Sequence, residues 1–197
     1  MKKYLTASIS VLAISGILIN VLVSSFEDPF SLFRGLGLFR YYTLQSNLIV
    51  AIYFALFFNG KWRNNDLYKR FIGGVTIYIT ITFFIFMIFL QPGWHPTGWN
   101  AVSNVLSHYL VPVLTIFFFG KYHKEYEFKM NDMFWWIIYP ILYVVFIVVF
   151  GSISGDYLYP FFQVAEVGVF GLIYTIILLV LFFLGLSFIL MKIVTKK

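Results

Sequence analysis

The sequence predicts an all-α integral membrane protein, a bundle of six transmembrane helices with its N- and C-termini cytoplasmic. Three observations carry that prediction: an extreme apolar composition, six uncharged apolar runs, and an uneven distribution of basic residues among the connections. Of the 197 residues, 61% are hydrophobic, 22% aromatic and only 11% charged. A water-soluble domain holds about 45–50% apolar and about 25% charged residues. This chain has too few polar side chains to cover a core in water, so its surplus apolar surface must face lipid.

Crossing a hydrocarbon layer of about 30 Å takes about 20 mostly apolar residues in a helix. Six runs fit: Leu5–Val23, Tyr42–Phe58, Phe71–Leu90, Ala101–Phe119, Phe134–Phe150 and Val167–Leu190, none of which contains Lys, Arg, Asp or Glu. Lys2 and Lys3 ahead of the first run resemble the start of a signal peptide. The run is longer than the apolar part of such a leader, so it reads as the first span. The chain is then one transmembrane domain over 1–197.

Orientation follows from the excess of Lys and Arg on the cytoplasmic side of membrane proteins. Lys2 and Lys3 precede span one; Lys61, Arg63, Lys69 and Arg70 follow span two; Lys121, Lys124 and Lys129 follow span four; Lys192, Lys196 and Lys197 follow span six. These twelve of the fourteen basic residues fall on one side, and only Arg34 and Arg40 on the other. Both termini are therefore expected inside. With no eukaryotic targeting signal, the expected location is a bacterial plasma membrane, crossed several times.

The formal charge of +6 is divided among short clusters between apolar runs, so no continuous basic face awaits nucleic acid. Cysteine is absent, which excludes disulfides and thiolate metal sites. The outer side comprises three connections. Ser24–Tyr41 is rich in Phe and holds Gly35 and Gly37. The second carries Pro92-Gly93-Trp94-His95-Pro96-Thr97-Gly98-Trp99, and Gly151–Glu166 includes Asp156 and Tyr157-Leu158-Tyr159-Pro160-Phe161. Their Trp and Tyr side chains suit the membrane interface. Phe57-Phe58-Asn59-Gly60-Lys61-Trp62 is echoed by Phe117-Phe118-Phe119-Gly120-Lys121-Tyr122. Each reads as a helix ending in Gly with a Lys reaching the headgroups.

Polar residues inside spans are costly and point to function. Thr43, Ser46 and Asn47 open the second helix, and Asn104, Ser107 and His108 open the fourth. Both helices run from outside to inside, so the clusters share the outer leaflet. Positions three or four apart share a helix face, which aligns Thr43 with Ser46 and Asn47, and His108 with Asn104. At 1.5 Å per residue His108 lies about 6–10 Å below the outer boundary, with Thr43 shallower. Hydroxyl and imidazole meet if the two helices adjoin. The plain alternative is structural, a Thr bonding the carbonyl of the preceding turn and a His acting as glue between helices.

Other chemistries lack their residues. Haem held by two imidazoles needs a His on two spans, and zinc needs three or four Cys, His or acidic ligands. Neither set is present, so no cofactor or metal is expected. Gly151-Ser152-Ile153-Ser154-Gly155 misses the G-x-S-x-G register of a hydrolase elbow. Ion pathways use buried carboxylates, which the spans lack.

Three motifs carry a resemblance: Phe39-Arg40-Tyr41-Tyr42-Thr43 at the start of helix two, Asn104-x-x-x-His108-x-x-x-Pro112 at the start of helix four, and Tyr159-Pro160-Phe161-Phe162 before helix six. In order and placement they resemble the androgen-induced protein family and its short bacterial six-helix relatives. Animal members of that family are transmembrane threonine hydrolases of fatty acid esters of hydroxy fatty acids. The resemblance implies Thr43 as nucleophile and His108 as its partner.

The chemistry suits those residues. A Thr hydroxyl needs a base to remove its proton as it attacks, and a neutral imidazole can do so. The oxyanion that forms needs preorganised donors, for which Asn47 and Asn104 are candidates. Asp156 or Glu166 is a candidate to orient His108. Two classes of function follow. One is a membrane-embedded lipid ester hydrolase; the other is a noncatalytic membrane protein such as a small transporter, a lipid-binding protein or an assembly factor. A transporter would place its polar site near the midplane, whereas these clusters lie near one face.

Overall fold

A computed structural model of the chain describes residues 1–60, 62 and 64–195. Four of the basic residues used for orientation, Lys61, Arg63, Lys196 and Lys197, lie outside the described residues. Among those described, every regular element is helical. Contacts divide the chain into two compact units, Met1–Glu127 and Phe128–Lys197.

The first unit begins with α1, Lys2–Ser25, and a short α2, Leu32–Gly37, continued by a 3-10 turn. Helix α3, Tyr42–Asn59, follows. Helix α4, Asp66–Ile85, runs on through a π turn at Phe86–Leu90 and a 3-10 turn at Gln91–Gly93. Helices α5, Gly98–Val105, and α6, Val111–Tyr122, are joined by a second π turn, Leu106–Leu110. The second unit holds α7, Asp132–Ser154, and α8, Val164–Thr195.

Six helical stretches are long and apolar enough to cross a membrane: Lys2–Ser25, Tyr42–Asn59, Asp66–Gly93, Gly98–Glu125, Asp132–Ser154 and Val164–Val194. They correspond one for one to the predicted runs. The helices extend further because charged residues end an apolar run without ending a helix. At α4, Asn65 caps the N-terminus, its side chain accepting from the Tyr68 N–H at 2.9 Å, so Asp66, Lys69 and Arg70 are helical.

Small residues and hydroxyls set the packing of the first unit. Ser10 Oγ donates to the Ala51 carbonyl at 2.9 Å, tying α1 to α3. Tyr68 of α4 donates to the Tyr53 carbonyl, and the two rings stack at 4.4 Å. A Cβ at Gly16 of α1 would lie 2.7 Å from Ser107 Oγ and 3.2 Å from Leu106 Cβ, so α1 crosses the second π turn closely at Gly16. Gly35 likewise lets α2, too short to register as an apolar run, lie on α1: a Cβ there would meet Val21 O at 2.3 Å.

The two halves of the sequence echo differ. Gly60 ends α3 in the left-handed region, at φ +81°, with its N–H on Phe57 O. Gly120 sits inside α6, which continues to Tyr122. The expected helix end at Gly120 is thus corrected, because a helical Gly before a Lys looks the same in sequence as a cap.

In the second unit, Gly151-Ser152-Ile153-Ser154-Gly155 is the end of α7, with Gly155 in the left-handed region and its N–H on Gly151 O. Helix α8 is kinked at Gly168, where φ is +70° and ψ 171°. Large apolar side chains cover the outside of these helices, with Ile153 82% and Phe170 89% exposed.

Candidate functional site

The two polar clusters meet within the first unit. Thr43 enters from the first turn of α3, and His108 from the middle of the second π turn. Thr43 Oγ1 lies 3.1 Å from His108 Nε2. The other ring nitrogen, Nδ1, lies 2.8 Å from Asn104 Oδ1 one turn earlier. An amide oxygen only accepts, so Nδ1 carries the proton. That leaves the Nε2 lone pair to accept from the Thr43 hydroxyl.

The π turn that presents His108 has a cause in the sequence. Pro112 has no N–H and cannot bond the His108 carbonyl in α register. The Val111 N–H reaches back five residues to Leu106 O, leaving Ser107 O without its usual intrahelical donor. Asn47 of α3 supplies one, Nδ2 donating to Ser107 O at 3.1 Å and to Thr43 O at 2.8 Å. The α4 extension repeats the device. Gln91 N–H bonds Phe86 O five residues back, and Pro92 follows. Single π turns of this kind recur at functional sites.

Apolar walls enclose the imidazole. Phe86, from the first π turn, stacks on the His108 ring at 3.8 Å and 17°. Trp94 stands edge-on to it at 6.2 Å. Tyr109 hydrogen-bonds Gln91 Oε1, joining the two π turns. Below Thr43, Ser46 Oγ lies 2.7 Å from Thr82 Oγ1, linking α3 to α4. On the far side Ser103 donates to Asn20 Oδ1 at 3.1 Å, linking α5 to α1. His108 is only 8% exposed, whereas Thr43 is half-buried.

Several expectations change in detail. Both N–H groups of Asn47 are taken by backbone carbonyls, and its remaining buried atom, Oδ1, is an unpartnered acceptor. Asn47 therefore clamps two helices and has no donor for an oxyanion. Asn104 holds the ring nitrogen that an orienting carboxylate would take. Asp156 and Glu166, the candidates for that role, belong to the second unit. There the Asp156 N–H donates to Ser154 Oγ at 3.1 Å and the Glu166 N–H to Gln163 O at 2.9 Å. Phe86 and Trp94 escaped sequence reasoning as parts of the site, because an apolar wall looks like any other apolar residue. The available signal was the pair Pro92 and Pro112, each two residues past the end of a π turn.

Among the described residues no three His, Cys, Asp or Glu side chains converge as a metal site requires. The arrangement is a hydroxyl, an imidazole and an amide in series, the order in which a general base activates a nucleophile. Comparison with protein-family models, with curated proteins and with solved structures finds no match.

Proposed function

We propose that the protein is a multi-pass membrane protein with cytoplasmic termini that cleaves lipid esters, using Thr43 as nucleophile and His108 as general base. The observation that carries this reading is the 3.1 Å contact between Thr43 Oγ1 and His108 Nε2. In the proposed reaction the Thr43 oxygen attacks the ester carbonyl while its proton passes to Nε2. The tetrahedral intermediate then expels the alcohol, which takes that proton. Water, deprotonated by the same nitrogen, attacks the acyl-threonine, and its proton passes from Nε2 to the Thr43 oxygen as the acid leaves. Asn104 holds the ring through Oδ1, on the edge away from Thr43.

The surroundings support a lipid substrate. Phe86 and Trp94 offer apolar surface beside the imidazole. In the proposed topology, which places the site in the outer leaflet of a bacterial plasma membrane, ester groups of membrane lipids lie at a similar depth. The resemblance to the androgen-induced protein family points to the same two residues. The test is hydrolysis of a long-chain ester by purified full-length protein in detergent. Turnover that vanishes in a folded Thr43→Ala variant supports the reading, and no cleavage by the unaltered chain refutes it.

A second reading, a noncatalytic transporter, lipid-binding protein or assembly factor, rests on a different observation. The Asn47–Ser107 and Ser46–Thr82 contacts tie neighbouring helices together, which is how buried polar side chains serve as structural glue. The same assay separates the two readings.

A further inference from the structure

The imidazole of His108 is engaged on its face as well as its edge. Its hydrogen bonds, Nε2 with Thr43 and Nδ1 with Asn104, lie along the edge. Phe86 covers a face, the ring centres 3.8 Å apart and the planes 17° from parallel. Trp94 meets the imidazole differently, at 6.2 Å and 86°, just beyond the about 6 Å within which an aromatic face attracts a cation.

The Phe86 ring is held in place from several directions. It is 1% exposed and stands edge-on to Tyr109 at 5.8 Å and to Trp94 at 5.9 Å. Its residue opens the first π turn, with its carbonyl accepting the Gln91 N–H. The Gln91 side chain accepts from the hydroxyl of Tyr109, the neighbour of His108. One π turn therefore supplies the ring that stacks and the other the ring that is stacked upon.

The proposed reaction gives this stack a task. When the Thr43 proton reaches Nε2, both ring nitrogens carry hydrogen and the imidazole becomes a cation. In a Ser-His-Asp triad a buried carboxylate stabilises that cation. Here both hydrogen-bonding partners are neutral, and the first four apolar runs contain no Asp or Glu. An aromatic face carries the negative part of the ring quadrupole and attracts a cation, most strongly where water is excluded.

We propose that Phe86 is a positioning residue for the hydrolysis, its ring face fixing the imidazole plane and stabilising the charge His108 acquires from Thr43. This role rests on the hydrolase reading and goes beyond it, since an apolar wall alone would need only the volume of the side chain.

The experiment separates ring electrons from ring volume. Phe86 is replaced in the full chain by mono-, di- and trifluorophenylalanine, which drain the face with little change of shape, and by cyclohexylalanine, which has no aromatic face. Each protein is purified in detergent, checked by thermal unfolding, and assayed on a long-chain ester. The value of kcat should fall stepwise with each fluorine, reaching a loss of about tenfold in the trifluoro and cyclohexyl variants, with KM little changed. The same series at Phe54, a buried ring edge-on to Phe118 at 4.9 Å, should leave kcat unchanged. Cleavage that stays constant along the Phe86 series, changes only in KM, or falls equally in the Phe54 series overturns this role and leaves the hydrolase reading standing. No cleavage by the unaltered chain overturns both.

Discussion

Thr43 and His108, sixty-five residues apart in the chain, are joined through Oγ1 and Nε2 at 3.1 Å. If that contact is catalytic, Thr43→Ala abolishes ester cleavage and Thr43→Ser, which keeps the hydroxyl, retains much of it. General-base assistance contributes about 10²–10⁴-fold, so His108→Ala should fall by that factor. The double variant should be scarcely worse than either single one, because members of a catalytic unit are not additive. Circular dichroism and gel filtration establish that each variant is folded. A twofold loss at His108 would contradict the mechanism.

In the proposed mechanism Asn104 acts only through the ring it holds, its Oδ1 lying 2.8 Å from Nδ1. Replacing it by Ala removes one neutral hydrogen bond, worth about 1 kcal/mol, and should lower kcat about fivefold with KM little changed. Asn104→Asp keeps an acceptor at the same place. It should restore much of the rate and shift the acid limb of the pH–rate profile upwards, because a carboxylate favours the protonated imidazole. A merely structural Asn104 would leave that profile unmoved.

The π turn is a separate lever on the same geometry. Pro112→Ala returns an N–H for the His108 carbonyl and should let the helix revert to α register. Since successive residues are about 100° apart around an α-helix, removing the bulge turns His108 away from Thr43. Activity should fall as far as in His108→Ala while thermal stability in detergent is kept or raised. Asn47→Leu should do the reverse to stability. It strands the buried Ser107 carbonyl, at a cost of about 1–3 kcal/mol, and should lower the Tm measurably.

How much of this was legible in the sequence depended on chemical contrast. Six apolar runs stand out against charged connections, and Thr43, Asn47, Asn104 and His108 stand out against apolar spans. Helix α2 did not, because six residues capped by Ser31 leave no periodic signature. Asn104 and Asn47 appeared as interchangeable amides. Only the fold shows that one faces the imidazole and the other a backbone carbonyl freed by Pro112. Gly16 lies in an unbroken apolar run, and its role comes from α5 and the π turn, about ninety residues later, which periodicity in one helix does not register.

That role gives a packing prediction. At Gly16 a Cβ would sit 2.7 Å from Ser107 Oγ, so Gly16→Ala requires the serine hydroxyl to shift, and Gly16→Leu requires α1 to move off the π turn. Overpacking of this kind costs about 1–3 kcal/mol. Thermal unfolding in detergent should rank the unaltered chain, Gly16→Ala and Gly16→Leu in falling order. Activity should fall in the same order, because Ser107 precedes His108. Gly37, with open space around its Cβ position, is the control, and Gly37→Leu should leave activity at the unaltered level.

The topology is tested by reporter fusions, which should place Lys197 and Pro96 on opposite sides, with Lys197 inside. The expectation rests on twelve basic residues against two, and the two exceptions have other work in the fold. Arg34 hydrogen-bonds the carbonyls of Glu27 and Pro29 at 3.0 Å each, and its guanidinium lies 3.6 Å from the Glu27 carboxylate, which offsets its charge. Arg40 lies over the Tyr41 ring, 5.5 Å from its centre, just before α3. An arginine that fastens the α1–α2 connection opposes the cytoplasmic bias less than a freely solvated one. Arg34→Gln should therefore leave the fusion pattern unchanged while loosening that connection to limited proteolysis. Replacing Lys69, Arg70, Lys121 and Lys124 together by Gln removes much of the bias and should yield mixed orientation. Fusions at Lys197 and Pro96 that report the same side would overturn the six-span map and remove the outer-leaflet placement of Thr43 and His108.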